Sequence, residues 1–477
     1  MTHLSLGRPT AWAATLAAAL LTGCASLPDD DGFGRADRIA RQHLGTPLQR
    51  ADRPAAAPSA AAALNTSLAE PLTEQAAVQI AVTQHPGFQA DLERLRAEAA
   101  EGALAASLPA PGFTLRRTRA GEDLEWEASL HASLARLIAL PWLREHEAQR
   151  LTEAGHHAAI RVLQHALQAR SAWLEAVAAR QQAAVAQTAL ESAQASSTLA
   201  ERMQQAGNFS ALQAARIHLA QAQVKAAALA AAAQQRSSEA RLRLALGLPA
   251  RTALTLPDAL PELPAQAPAD LPDSAQQLAQ RSDVQSAEAR WQALQSGARA
   301  DQAQRWLADA EIAPEWAIEG PLRSGHLHSR TWELGLRLPF WDSRVRQVAA
   351  DSRVRVAALE LQHTQLNALA EIQEAHEAAR LQWQMAQHQQ TVALPLARQM
   401  AQQNLLRYNG MLIGVFELLD SAQQRLQAEQ AAVMALRDYW LAQAQLQTAL
   451  IAPPGRPLPA AASASSSNRP AADSAGH

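Results

Sequence analysis

The sequence predicts a mainly α fold with a small β part, in which long antiparallel helical hairpins carry two pairs of short strands. Three observations predict it. From about residue 143 to 205 there is no proline, and Ala, Gln, Leu, Glu and Arg dominate, all good helix formers. Two Trp-containing segments alternate apolar and polar residues with a period of two, the mark of strands. The whole pattern then occurs twice. Aligning the turn at Ser210 with the turn at Gly414 gives an offset of 414 − 210 = 204 residues, too long for a solenoid repeat and suited to a duplicated half-protein.

Composition narrows the class. The chain has 477 residues, 48% hydrophobic and 18% charged, so a sizeable core is possible. A formal net charge of −3 gives no broad basic surface, which argues against nucleic acid as a partner. Trp (11) outnumbers Phe (6) and Tyr (2), and the tryptophan positions carry information.

Residues 1–23 read as a signal peptide, with Arg8 ahead of a short apolar run, Ala11–Leu21, that is too short for a permanent bilayer span. Leu21-Thr22-Gly23-Cys24 resembles a bacterial lipobox, which implies a lipid on Cys24 as the mature N-terminus. Ala25 is not the Asp that favours inner-membrane retention in such lipoproteins, so outer-membrane sorting is implied. No other cysteine exists, which removes disulfides and CxxC sites. Residues 24–69, Asp-rich and then Ala/Pro/Ser-rich, read as a tether with little reason to pack.

The first repeat spans residues 70–248. Pro71-Leu72-Thr73-Glu74 opens a helix with Thr73 as N-cap. A hairpin follows over 113–134: a strand around Phe113–Arg119, a link at Ala120–Asp123, and a strand with Trp126, Ala128, Leu130, Ala132 and Leu134 on one face. A helix from about Leu143 to Gln205 would be roughly 95 Å long, ending at the tip Gly207-Asn208-Phe209-Ser210. Six prolines between Leu248 and Pro272 prevent a continuous helix, making 249–272 the inter-repeat connection. The second repeat, 273–451, has its hairpin at 315–338, with strands around Glu315–Leu322 and Trp332–Leu338, and its tip at 409–414. Residues 452–477 form a Pro/Ala/Ser-rich tail expected to be disordered.

Trp126, Trp142, Trp306, Trp316, Trp332 and Trp341 cluster in or beside the hairpins, as a bilayer-interface belt would. Four strands cannot close a barrel alone and exposed edges are not tolerated in lipid, so several chains must contribute. With apolar faces toward lipid and polar faces inward, the product is a shared pore. Two hairpins packed on a soluble bundle remain the competing arrangement.

Three stretches resemble the TolC-like outer-membrane efflux proteins, specifically the lipoprotein branch. They are Pro71–Ala77 through His85-Pro86-Gly87, Ala206–Ser210 with Ala215-Arg216, and Arg407-Tyr408-Asn409-Gly410 through Glu417–Gln423. The resemblance implies a homotrimer in the outer membrane of a Gram-negative bacterium. Each protomer would give four strands to a twelve-stranded barrel and long helices to a periplasmic α-barrel. It also implies a periplasmic membrane-fusion adaptor that docks at tips containing Gly207, Ser210, Gly410 and Gly414, and an inner-membrane pump. Glu417 and Asp420 match acidic positions around the tunnel entrance, and three copies would form a ring of six carboxylates. A solvated helix face is the other reading of that pair. One departure stands out: Met411 holds the position matching Gly207, with Gly410 one residue earlier, so the second tip is expected to turn differently.

No catalytic constellation competes. There is no phosphate-loop pattern and no Ser-centred elbow, and no cofactor is called for beyond the lipid on Cys24. His326-Leu327-His328 could offer two imidazoles to a metal, but falls in an expected surface loop without acidic partners. Two function classes remain: a passive exit duct of a tripartite efflux system, or a lipid-anchored structural protein spanning the periplasm without conducting. Drug, metal-ion and protein export share the architecture and are not separated by the sequence.

Overall fold

The computed structural model describes residues 33–45, 47–48, 68, 70–108, 110–120, 123–305, 311–321, 327–335 and 343–455. In the first half the elements are α1 (Gly34–Leu44), α2 (Glu74–Gln84), α3 (Pro86–Ala105), β1 (Gly112–Ala120), β2 (Asp123–Ser133), α4 (Leu134–Gln205) and α5 (Ala211–Ala245). The second half has α6 (Ser274–Gln280), α7 (Ser282–Arg305), β3 (Glu311–Pro321), β4 (Leu327–Gly335), α8 (Ser343–His388), a π-helical segment Gln389–Ala393, α9 (Leu394–Asn409) and α10 (Val415–Ala449). The fold is mainly α with a small β part, and helix, two strands, long helix, tip, long helix occurs twice.

Local chemistry explains most boundaries. Thr73 caps α2 by accepting from the Ala76 amide, and His85 Nδ1 accepts from the Gly87 and Phe88 amides at the start of α3. α4 has 72 residues, about 108 Å at 1.5 Å per residue. It begins nine residues before the expected Leu143, because Pro141 lies inside the helix instead of preceding it. Proline there removes one intrahelical bond. Burial of Ala135, Ala139 and Leu140 holds the turns around it. The π-helical segment precedes Pro395, whose missing N–H leaves the regular ladder incomplete.

Three expectations need correction. The segment read as an unpacked tether contains α1, whose Ala36 and Ala40 are fully buried, packing on Leu95 and Ala158 and on Val82, Phe88 and Val162. Small side chains let α1 lie close to α4 despite the polar composition around it. The second hairpin starts at Glu311, four residues before the expected Glu315. Pro314 sits inside β3, and the ladder to β2 skips Leu130 and His131 while pairing to β4 continues, so the missing N–H is confined to one side. Leu327 and His328 belong to β4 instead of a surface loop; His326, Leu336 and Leu338 lie outside the described residues.

The densest core lies halfway along the long helices. Leu72, Ile80, Trp173, Val177, Leu242, Leu246, Leu256, Leu260, Val433 and Leu436 are buried together there. The proline-rich connection wraps this level. Its carbonyls lack ladder partners, and tryptophans supply donors: Trp383 Nε1 to Pro264 O at 3.0 Å and Trp440 Nε1 to Pro261 O at 3.1 Å. Trp173 Nε1 donates to Leu72 O at 2.7 Å, and the Leu72 amide donates to Thr255 O. Nearer the sheet-proximal ends of these helices, beyond Leu436 on α10, Arg281 is fully buried. It donates to both Asp283 oxygens (2.8 and 2.7 Å), to Glu371 (2.7 Å) and to Ala449 O (2.6 Å). Burial alone would lower its pKa, but the bonds to the two carboxylates outweigh that and raise it. The cluster ties the start of α7 to α8 and to the end of α10. Below this belt the packing thins, and no residue of α9 is buried.

Candidate functional site

Each half ends in a turn whose bonds follow from how helices stop. At the first tip Gly207 has φ 79. The Asn208 amide donates to Met203 O (2.9 Å) and the Gly207 amide to Gln204 O (3.0 Å), the paired bonds of a Schellman stop. Ser210 then starts α5 with a reciprocal cap. Its Oγ accepts from the Gln213 amide (3.3 Å), while Gln213 Oε1 accepts from the Ser210 amide (2.8 Å), a capping box.

The second tip makes the same turn, which corrects the expectation of a different one. The Leu412 amide donates to Arg407 O (2.8 Å) and the Met411 amide to Tyr408 O (2.9 Å), the first tip's bonds moved by 204. Met411 takes the left-handed position, φ 60, and is the one non-glycine residue with positive φ among the described residues. Gly410 has φ −82 and no need of glycine's freedom. Gly414 is the N-cap of α10 but offers no side-chain acceptor. A left-handed methionine costs about 1–2 kcal/mol, so the second tip lacks both stabilising devices of the first. It also exposes Met411 (93%) and Leu412 (73%).

A contact the sequence reading missed joins the two tips. Phe209 and Phe416 stack with ring centroids 6.1 Å apart and planes at 11°. The chain's six phenylalanines were the available signal, since one stands beside each turn. Above this stack a cavity of about 220 Å³ separates α10 from the α4–α5 pair, walled by Ala189, Ser192, Ala220, Leu419 and Ala422 among others.

Glu417 and Asp420, the acidic pair expected at a tunnel entrance, are both exposed, but their partners differ. Glu417 lies 3.7 Å from Arg407 on α9, and Asp420 accepts from Gln424 Nε2 at 2.7 Å on its own helix. Glu417 thus faces a guanidinium, whereas Asp420 accepts from a neutral amide.

At the other end of the helices the sheet has order β1-β2-β3-β4 with every neighbour antiparallel. Register places Phe113, Leu115, Trp126, Leu130, Trp316 and Trp332 on one face. Thr114, Arg116, Glu125, Glu127, Glu315 and Glu333 share the other. Trp126 and Trp316 are 38% and 45% exposed, so the single chain leaves its apolar face uncovered. Arg116 pairs with Glu127 at 3.1 Å on the polar face. Trp341 and Cys24 lie outside the described residues. Strand lengths of 9, 11, 11 and 9 residues match the 9–11 that a tilted transmembrane strand needs.

Among the described residues, no cluster of three His, Cys, Asp or Glu could hold a metal, and no helix is long and apolar enough to cross a membrane. His156 and His157 face different ways. Arg35 of α1 donates to His156 Nε2 at 2.7 Å, whereas His157 lies against Ser286 of α7. Burial, then the charges of Arg35 and His157, push His156 down to about 4, and its buried Nδ1 has no partner among the described residues.

No family model and no curated protein sequence matches the chain. Solved structures do. A membrane protein from Pseudomonas aeruginosa is 18% identical, with 79% of this chain and 92% of that one covered at a TM-score of 0.67. The Campylobacter jejuni outer-membrane channel CmeC is 13% identical, with 79% and 85% covered at a TM-score of 0.67. The open state of the Neisseria gonorrhoeae outer-membrane channel MtrE is 16% identical, with 80% and 89% covered at a TM-score of 0.65. The chain has the fold of outer-membrane channels. More particularly, it is the TolC-like fold that the helix openings and paired tips resemble in sequence.

Proposed function

We propose that the chain is the outer-membrane exit duct of a tripartite efflux system, a homotrimer that passively conducts substrates from an inner-membrane pump and its periplasmic adaptor to the exterior. The observation that carries this reading is the sheet. Four strands of transmembrane length have segregated faces and two unpaired edges, and stand on a helix of 72 residues. Edges of that kind are not stable in lipid unless other copies pair with them. Three copies would bring β1 of each beside β4 of the next, with polar faces inward and apolar faces toward lipid.

The helices then span the periplasm and the tips meet the adaptor. Gly207 and Ser210 at the first tip, with Gly410 and Gly414 at the second, give turns slim enough for helical hairpins to approach. Met411 and Leu412 add an exposed apolar contact. Glu417 and Asp420 line the entrance, and Cys24 carries the lipid that tethers each protomer. The relatives' description as channels, not enzymes, agrees with a duct that performs no chemistry of its own.

Single-channel recording of the purified trimer in planar bilayers tests the reading. Conductance is expected, rising when Glu417 and Asp420 are both neutralised, together with a shift of selectivity toward anions. A trimer that never conducts, even with its entrance mutated, would sink the proposal in favour of a non-conducting periplasmic scaffold.

A further inference from the structure

The two faces of the sheet differ in the sign of their charge as well as in polarity. By register, six glutamates (Glu125, Glu127, Glu311, Glu315, Glu319 and Glu333) share the polar face, and no Asp or Glu of the four strands falls on the apolar one. The apolar face nevertheless carries Arg117 and Arg119. Both belong to the edge strand β1. Both also lie in the half of the strand next to the hairpin turn, away from the helices.

An arginine on a lipid-facing strand is strongly disfavoured at the bilayer midplane and only slightly disfavoured near the interface. The placement is therefore compatible with lipid only if these heads sit at the outer headgroup level. Arg117 shows how one is held there, with its guanidinium 5.2 Å from the ring centroid of Trp126 on the neighbouring strand. Just below it on β1, Phe113 and Leu115 are 67% and 58% exposed on the same face. Cation above and apolar surface below is the profile of a phosphorylated lipid and not of a free anion.

We propose that the outer half of β1 is a docking surface for phosphate-bearing lipid headgroups of the outer leaflet, with Arg117 and Arg119 as the phosphate-binding groups. This rests on the channel reading. In the closed barrel β1 lies beside the next copy's β4, so the surface falls at the seam between two protomers. Guanidinium forks suit phosphate because they donate two parallel bonds. A lipid bound there bridges two protomers where the sheet is otherwise held by one strand pair.

The test uses the full-length trimer in neutral detergent, with bound lipid read by native mass spectrometry. The probes are bisphosphorylated lipid A, dephosphorylated lipid A and inorganic phosphate. Wild type is expected to retain the bisphosphorylated lipid, and the R117Q/R119Q variant to bind it roughly 25-fold more weakly, at about fivefold per arginine near an anionic lipid surface. R117K/R119K, which keeps the charge, is expected to lose less than the glutamine variant and guards against misfolding. Equal binding of dephosphorylated lipid, equal binding by the glutamine variant, or displacement by millimolar inorganic phosphate would overturn the site. A wild-type trimer that conducts but shows no preference for phosphorylated lipid refutes this site alone. A chain that neither trimerises nor conducts refutes the channel reading and this inference with it.

Discussion

Replacing Met411 with glycine separates the stability of the second tip from its use. The left-handed backbone costs methionine about 1–2 kcal/mol, and glycine returns roughly 0.5–1 kcal/mol through its greater freedom when unfolded. The net gain for the turn is about 0.5–1 kcal/mol, and no packing is lost because Met411 is 93% exposed. Amide hydrogen exchange at Leu412, whose N–H is bonded to Arg407 O, should therefore slow roughly two- to fivefold. The mirror change, Gly207→Ala at φ 79, should speed exchange at Asn208 by a similar factor. Adaptor binding should move the other way. Fully burying a methionine contributes about 1.5–3 kcal/mol, so M411G should weaken docking by about tenfold or more. Faster exchange at Leu412 in M411G would refute the strain argument, and unchanged adaptor affinity would remove Met411 from the contact.

Other perturbations probe the rest of the molecule. Arg281→Ala leaves Asp283 and Glu371 without their buried cation and should destabilise the chain by about 3–5 kcal/mol in denaturant titration; a loss under 1 kcal/mol would mean the cluster is not needed. His156 titrates in the fold near 4, below its ordinary range, so the unfolded chain binds the extra proton first. Stability should be level above about pH 6.5 and fall as pH drops from there through 4. His156→Gln, which still accepts from Arg35, should flatten that slope in pH-dependent melting, and an unchanged slope would exonerate His156. Phe209→Ala and Phe416→Ala should each loosen the tips, while the double variant adds little to either, with a coupling of about 0.5–1.5 kcal/mol. Strict additivity in tip hydrogen exchange would show that the rings do not act as a pair.

What was legible in the sequence was what local chemistry writes there. Gly207 and Ser210 stop one helix and start the next through bonds to residues a turn away, and β2 shows its apolar face by alternation alone. Contacts made at long range were not legible. Arg281 looks like a surface residue until Glu371 and Ala449, 90 and 168 positions away, are brought to it. The offset of 204 pairs Phe209 with Ile413, so the duplication itself pointed away from Phe416. α1 was hidden because the two residues it buries completely against the body are alanines, Ala36 and Ala40, which composition does not distinguish from a tether. Met411 misled in the opposite direction. The side chain suggested a new turn, but the backbone bonds at both tips were strong enough to impose the old one.

The belt of prolines and tryptophans has a consequence for how this protein can change over time. Each indole recognises a main-chain carbonyl, at Leu72, Pro261 and Pro264, and a carbonyl is present whatever residue supplies it. Substitutions in the belt can therefore accumulate so long as its extended path is kept, while the three tryptophans cannot drift with them. Related chains should show a waist whose sequence is loose and whose indoles are fixed.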